Sequence, residues 1–289
     1  MTENSFDHSI SRVMWEAVER FHSLSYVAPE VRAEGRDAGL KGFWMNYFAT
    51  RIAPVGPVGP DVVQSTFFYY GPERIRRAIP DAWRFSSPDA VLDARYRGMN
   101  ASLRSIYGDG IHSDDMIEAA SLIREAAEGC VSIGRLLYTG WASLEWPTEP
   151  HLALWHGSTL LREYRSGNHL IAVSAEGLDG CEAVVSHVTV GGAPREWIRD
   201  EAAWSEADVQ AALASLRRRG WVDATGTATA EGIQGRERIE TVTDRLDLPV
   251  WERLGSAKGR RLFELLARFA SILPPDDQLD WREYYPASS

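Results

Sequence analysis

The sequence predicts a mainly α-helical chain made of two pseudo-symmetric modules, all-helical apart from one short β-hairpin-like segment. Three observations predict it. Apolar residues recur at three- and four-residue spacing through most of the 289 residues, the period of helices with one buried face. Blocks of the second half repeat the punctuation of the first. Only residues 221–229 combine strand-like residues with a glycine turn.

Taken in order, residues 11–22 place Val13, Met14, Ala17, Val18 and Phe21 on one helical face, with Ser11 as N-cap. Pro29 opens a second helical stretch to residue 36. Residues 39–51 crowd Phe43, Trp44, Tyr47 and Phe48 into a buried helix. The Pro- and Gly-rich run 53–60 is a rigid turn that no helix crosses. Helices then open at Gly71-Pro72-Glu73, stopping at Pro80, and at Ser87-Pro88-Asp89, reaching residue 106. Proline early in a helix costs little, because its missing N–H would be unpaired there anyway. Residues 113–129 form a clean amphipathic helix, and 134–150, rich in Trp and Pro, form a connector.

In the second half, 151–165 is helical, Gly167 breaks it, 169–176 continues it, and 177–190 forms another helix before the turn 191–194. Residues 205–219 form a strong helix, with Ser205 and Asp208 as a capping box and Gly220 as a left-handed C-cap. Residues 221–223 and 227–229 read as short strands about a turn. A long helix runs from residue 230 to about 246. Residues 262–273 make a last amphipathic helix, followed by Pro274, Pro275 and an acidic, aromatic tail.

The halves can be superposed. Gly39-Leu40-Lys41-Gly42 matches Gly177-Leu178-Asp179-Gly180, and Ala53-Pro54 matches Ala193-Pro194. The helix opened by Gly71 matches that opened by Ser205. Leu92, Arg95 and Arg104 match Ile233, Arg236 and Arg245 at one offset, and His22 before Glu30 falls near His169 before Glu176. A duplicated chain would pack about a pseudo-two-fold axis, and its seam is a natural ligand cavity. The expected division is 1–145 for an N-terminal module and connector helix, 146–255 for a C-terminal module, and 256–289 for a terminal helix and tail.

Residues 205–245 carry the most specific pattern. Leu216-Arg-Arg-Arg-Gly220-Trp221-Val222 leads into the β-like segment, and Thr229-Ala-Glu-Gly232 starts a long helix. This resembles the recognition helix, wing and following helix of winged helix-turn-helix proteins of the MarR type. Over nearly the whole chain the sequence is also similar to an actinobacterial family of helix-turn-helix proteins. The matching runs are residues 26–30, 43–56 and 76–83, with Trp155-His156 and residues 160–165. The resemblance implies a duplicated winged-helix architecture, degenerate in the first module, and supplies no reaction.

Charge argues against a DNA reader. The formal net charge is −10, and all but Lys41 and Lys258 of the 31 basic residues are Arg. The wing begins at Asp223 and has no basic tip, and the candidate recognition helix opens Glu206-Ala207-Asp208. Phosphate contacts dominate non-specific affinity, and N-terminal residues of such helices enter the groove. Arg217, Arg218 and Arg219 stand at the other end. DNA binding is therefore the second reading.

A small-molecule site is the first. His22, Tyr26 and Glu30 follow four-residue steps. Trp44, Tyr47, Phe48 and Arg51 share a helical stripe that suits an aromatic or anionic ligand, with Arg51 holding a carboxylate. Trp155, Arg162 and His169 lie seven apart, as do His156 and Glu163. Folded together, His22, Glu30, His156, Glu163 and His169 supply acid–base groups, and Tyr26, Trp44, Tyr47, Phe48, Arg51, Trp155 and Arg162 supply substrate contacts. No zinc-ligand spacing, Walker motif or dinucleotide glycine pattern occurs, so neither metal nor cofactor is expected. Cys130 and Cys181 form no disulfide framework, and no apolar run reaches membrane-spanning length. These features suggest a cytoplasmic protein, monomer or homodimer, that does not engage a membrane. The expected function is small-molecule binding between the modules. Cofactor-independent acid–base catalysis in specialised metabolism is the leading form, and a ligand-responsive DNA-binding regulator is the alternative.

Overall fold

The computed structural model describes residues 9–273. Residues 1–8 and the tail 274–289 lie outside the described residues. The described chain is mainly α-helical. Its first half contains α1 (Ser9–His22), α2 (Leu24–Val27), α3 (Pro29–Asp37), α4 (Gly42–Ile52), α5 (Pro60–Thr66), α6 (Pro72–Arg76), α7 (Ala82–Phe85), α8 (Pro88–Tyr107) and α9 (Asp114–Ala127). The connector helix α10 (Leu136–Ala142) follows, and the second half contains α11 (Pro150–Ala175), α12 (Gly180–Thr189), α13 (Trp197–Asp200), α14 (Glu206–Arg218), α15 (Ala230–Leu254) and α16 (Ser256–Ala270).

The helix signals act as expected at most ends. Ser87, Ser113 and Ser205 accept the first free N–H groups of α8, α9 and α14. Gly39 and Gly177 adopt φ of +95° and +73° before Leu40 and Leu178, both buried, and α4 and α12 follow. Positive φ is open to glycine because it has no Cβ.

Several expectations are corrected. Ser11 lies inside α1, buried, and does not cap it. The connector at 134–150 contains α10. Gly167 does not break α11, which runs unbroken for 26 residues. A Cβ at Gly167 would meet Arg135 Cγ at 2.7 Å, so this glycine makes room for the Arg135 stem. The helix opened by Gly71 is only five residues long. The long helix continues through Pro249 to Leu254. The wing strands reduce to one antiparallel bridge between Val222 and Ala228. Its turn is closed by the Asp223 carboxylate, which accepts the N–H groups of Thr225 and Thr227 at 2.8 and 3.0 Å, in place of a longer ladder.

Packing links the two halves. α1 lies on α11 and α9 on α16, while α3 packs on α8 and α11 on α15. The larger apolar core gathers the first half, much of α11 and α16. A smaller one joins the end of α11 to α12, α14 and Trp221. The apolar stripe of α16, with Leu262, Leu265, Leu266 and Phe269, is buried within the chain. No described helix is long and apolar enough to cross a membrane.

Candidate functional site

The site grows from the end of α1. Ser23 keeps helical angles, so His22 and Tyr26 stay one turn apart. Ala28, preceding Pro29, is forced to ψ 126°. That break places Glu30 in the first turn of α3. His22 Nε2 lies 2.7 Å from the Tyr26 hydroxyl, and its Nδ1 lies 3.0 Å from Thr159 Oγ1. The Thr159 hydroxyl donates to the Trp155 carbonyl at 3.0 Å. Its lone pairs therefore take the Nδ1 proton, and Nε2 is left to accept from Tyr26. Burial, with Arg162, Arg95 and Arg51 nearby, holds the His22 pKa well below its usual value, so the ring is neutral.

The aromatic stripe of α4 delivers Tyr47 and Arg51 to the same place. Arg51 grips Glu163 of α11 with two parallel bonds, Nε to Oε1 at 2.9 Å and Nη2 to Oε2 at 2.8 Å. It also donates to the Tyr47 hydroxyl and lies over the Phe67 ring at 4.6 Å. Arg162 shares the carboxylate at 3.1 Å and reaches Glu19 at 3.2 Å. Burial alone would raise the Glu163 pKa, but Arg51 and Arg162 outweigh it and keep the carboxyl ionised. Behind them, Arg95 is held by the hydroxyls of Thr50 and Ser25 at 2.9 and 2.8 Å. No ion pair joins it to a carboxylate among the described residues, and burial lowers its pKa to about 10. Arg51, Arg95 and Arg162 thus face only Glu19 and Glu163, which leaves an excess of positive charge in a low-dielectric interior.

A cavity of about 170 Å³ opens on this cluster. Tyr26, Phe43, Trp44, Tyr47 and Tyr70 wall it, and Arg162, Glu19 and Ser23 line one part. Glu201, just after α13, closes it from the second half of the chain. A cavity of this order accepts a single benzene-sized ring. A larger cavity of about 400 Å³ lies between α5, α10 and α11 and is lined by Glu163, which does not line the smaller one. Its other charged group, Arg135, is held by Asn168 and the Ile133 carbonyl.

Of the residues selected from sequence, the structure brings together His22, Tyr26, Tyr47, Arg51, Arg162 and Glu163, with Trp44 in the wall. Phe48 is core, packed on Phe67 and Tyr70. Trp155 is buried with Arg95 at 5.5 Å from its ring. His156 bonds to the Tyr96 hydroxyl at 2.6 Å, and burial lowers its pKa to about 4. His169 does not meet His22. It bonds to Thr243 at 3.1 Å and stacks on Tyr69, with burial and then Arg236 and Arg165 lowering its pKa to about 3. The reason is helical rise: seven residues along unbroken α11 separate side chains by about 10 Å. Heptad partners therefore share a face without converging. Glu19, Ser23, Tyr70, Arg95 and Glu201 were not selected as site residues. Extending the α1 stripe back from Tyr26 would have reached Glu19 and Ser23, and the duplication had already flagged Arg95. Nothing local marks Glu201. Among the described residues no three of His, Cys, Asp or Glu gather as a metal-holding group.

The acidic residues of α14 and of the turn 223–227 find partners within their own segment. Asp208 folds back onto the cap of α14, accepting from Ser205 Oγ at 2.6 Å. Asp223 is turned into its own turn. Arg217 donates to the Asp223 carbonyl and Arg219 to the carbonyls of Glu176 and Gly177, while Arg218 is exposed. Trp221 packs over Gly235, where any Cβ would lie 2.2 Å from the indole.

The segment from Glu201 to Ser205 joins the cavity to α14. Gly71 donates to the Ala202 carbonyl at 2.6 Å, Arg74 to Asp200 at 2.7 Å, and Trp204 Nε1 to Tyr69 at 2.8 Å. Ala203 sits at φ +57°, a strained angle for a residue with a Cβ. Ser205 then caps α14.

The model of a helix-turn-helix family matches residues 11–277. No curated protein matches the chain, and no solved structure does.

Proposed function

Because the chain belongs to this helix-turn-helix family, we propose that it is a small-molecule-binding member whose occupancy is read out by the module of α14, the wing and α15, as a ligand-responsive DNA-binding regulator. The observation that carries the reading is the short path from cavity to helix. Glu201 lines the cavity and Ser205, four residues on, caps α14. A ligand that moves Glu201 moves the start of α14. The ligand class is an aromatic or carboxylate-bearing molecule. Tyr26, Trp44 and Tyr47 offer ring faces, and Arg162 lines the cavity within a cluster of three arginines and two carboxylates, which favours an anion.

DNA contact ranks higher on the structure than on composition. Asp208 and Asp223 serve a helix cap and a turn, and so need not confront phosphates. Arg218 is an outward cation at the end of α14. The duplication reading draws support from the paired packings, α3 with α8 beside α11 with α15, and α9 with α11 beside α16 with α1. On that reading the modules are 1–145 and 146–255, and the cavity lies near their seam.

A second reading, acid–base catalysis in the same cavity, draws on one specific contact. The Tyr26 hydroxyl reaches the cavity wall and hands its hydrogen bond to neutral His22. A proton leaving a substrate could pass to His22 through Tyr26. One experiment separates the readings: titrating labelled promoter DNA with protein in the presence and absence of 4-(aminomethyl)benzoate. A shift of DNA affinity with the probe supports regulation. Unchanged, salt-labile, sequence-indifferent binding removes it.

A further inference from the structure

Glu201 is the one carboxyl group brought to the cavity from outside the Arg162 cluster. The charges acting on it are those of Arg74, whose guanidinium lies over the Trp44 ring at 4.3 Å, and Asp200. Glu19, by contrast, is paired with Arg162. The cavity therefore has two poles. At one, Arg162 stands with Glu19 and Glu163; at the other stands Glu201. The rings of Trp44, Tyr47 and Tyr70 also line it.

Each pole asks for a different group. A carboxylate suits the arginine end. At the Glu201 end a carboxylate beside electron-rich ring faces repels a second anion and the face of a plain aromatic ring. It attracts an N–H⁺, which gains both a charge-assisted hydrogen bond and cation–π contact. An uncharged methyl group at the same point would gain neither.

Resting on the ligand-binding reading above, we propose that Glu201 is the specificity-determining residue of this cavity, selecting a single-ring aromatic zwitterion with a carboxylate at one end and a protonated amine at the other. The size fits, since about 170 Å³ holds one ring with short substituents and not a fused polycycle. The placement also gives the lever its force. A ligand held at both poles ties α11 to the segment that leads into α14, whereas one held only by Arg162 leaves that segment untouched.

The test is calorimetry with two probes of nearly the same shape, 4-(aminomethyl)benzoate and 4-methylbenzoate, on the full chain and on Glu201→Gln. The expected result is at least about tenfold tighter binding of the amine on the wild type, the scale of one charge-assisted hydrogen bond. Glu201→Gln should erase that preference and leave 4-methylbenzoate unchanged. Equal or weaker binding of the amine, with 4-methylbenzoate still bound, overturns the role of Glu201 and leaves the ligand-binding reading standing. Binding of neither probe to folded protein overturns both. If Glu201→Gln fails to fold, Glu201→Asp serves instead, and an unaltered preference in that variant at unaltered affinity also counts against the proposal.

Discussion

Arg51 and Glu163 stand 112 residues apart in sequence and meet as a fully buried bidentate ion pair. The pair fastens α4 to α11 and holds Tyr47 and Arg162, both of which line the aromatic cavity. Replacing Glu163 with Gln leaves Arg51, and in part Arg162, buried without a counter-charge. Breaking such a pair costs about 3–5 kcal/mol. Urea unfolding of Glu163→Gln should show a loss in that range. The double variant Arg51→Met with Glu163→Leu should recover much of it, because two apolar groups need no desolvation. A single-variant loss below about 1 kcal/mol contradicts the buried pair.

Stability should fall as pH drops from 7 to 5. His22, His156 and His169 are buried and neutral, with folded pKa values below the ordinary 6.5. The unfolded chain therefore binds protons near pH 6.5 that the folded chain refuses. By linkage, each contribution is complete above 6.5 and is lost progressively as pH falls towards the folded value. The loss is roughly 1–2 kcal/mol per histidine by pH 5. Asp247 opposes this. Burial raises its pKa to about 6, so its folded form takes up a proton first, and its own contribution is lost as pH rises through 6. His151 and His187 are also held below the ordinary value, and burial also raises Glu201 and Glu240, so five histidines stand against three carboxyls and the urea midpoint must decline on acidification. A flat profile between pH 7 and 5 would mean that the histidines are solvated.

Sequence patterns revealed the stripes and missed where they meet. Tyr47 and Arg51 share a helix face, as do His22 and Tyr26, and both pairs are read from spacing. The partners that give them meaning come from afar. Glu163 was selected for a heptad with His156 and answers Arg51 instead. Tertiary pairing of this kind has no local signature. The presumed break at Gly167 shows the same limit: glycine was read as a helix breaker, yet here it accommodates Arg135. Asp208 fills the capping box that its spacing from Ser205 predicts, whereas Asp223, read as an acidic wing residue, is consumed by closing its own turn. Glu201 was invisible because it sits in a turn whose path depends on docking against Gly71.

Gly71→Ala tests that docking. A Cβ there would fall 2.3 Å from the Ala203 carbonyl oxygen, a backbone atom that cannot rotate aside. The segment after α13 must shift. The expected cost is about 1–3 kcal/mol, and any effect of a cavity ligand on DNA affinity should shrink with it. A variant of unchanged stability with full ligand response would place the coupling elsewhere.

Arg218→Ala should weaken binding to promoter DNA and reduce the salt slope by about one unit, the signature of one lost phosphate contact. Arg219→Ala should act on folding, since Arg219 holds the carbonyls of Glu176 and Gly177. Equal effects of both on DNA affinity at matched stability would contradict this division.

Whether the aromatic cavity is a ligand site is decided most directly by a crystal structure of the protein grown with 4-(aminomethyl)benzoate. The expected density is one ring among Trp44, Tyr47 and Tyr70, its carboxylate within hydrogen-bond reach of Arg162 and its amine beside Glu201. An empty cavity at saturating probe, or a ring bound only elsewhere, contradicts the reading of these residues as a binding site.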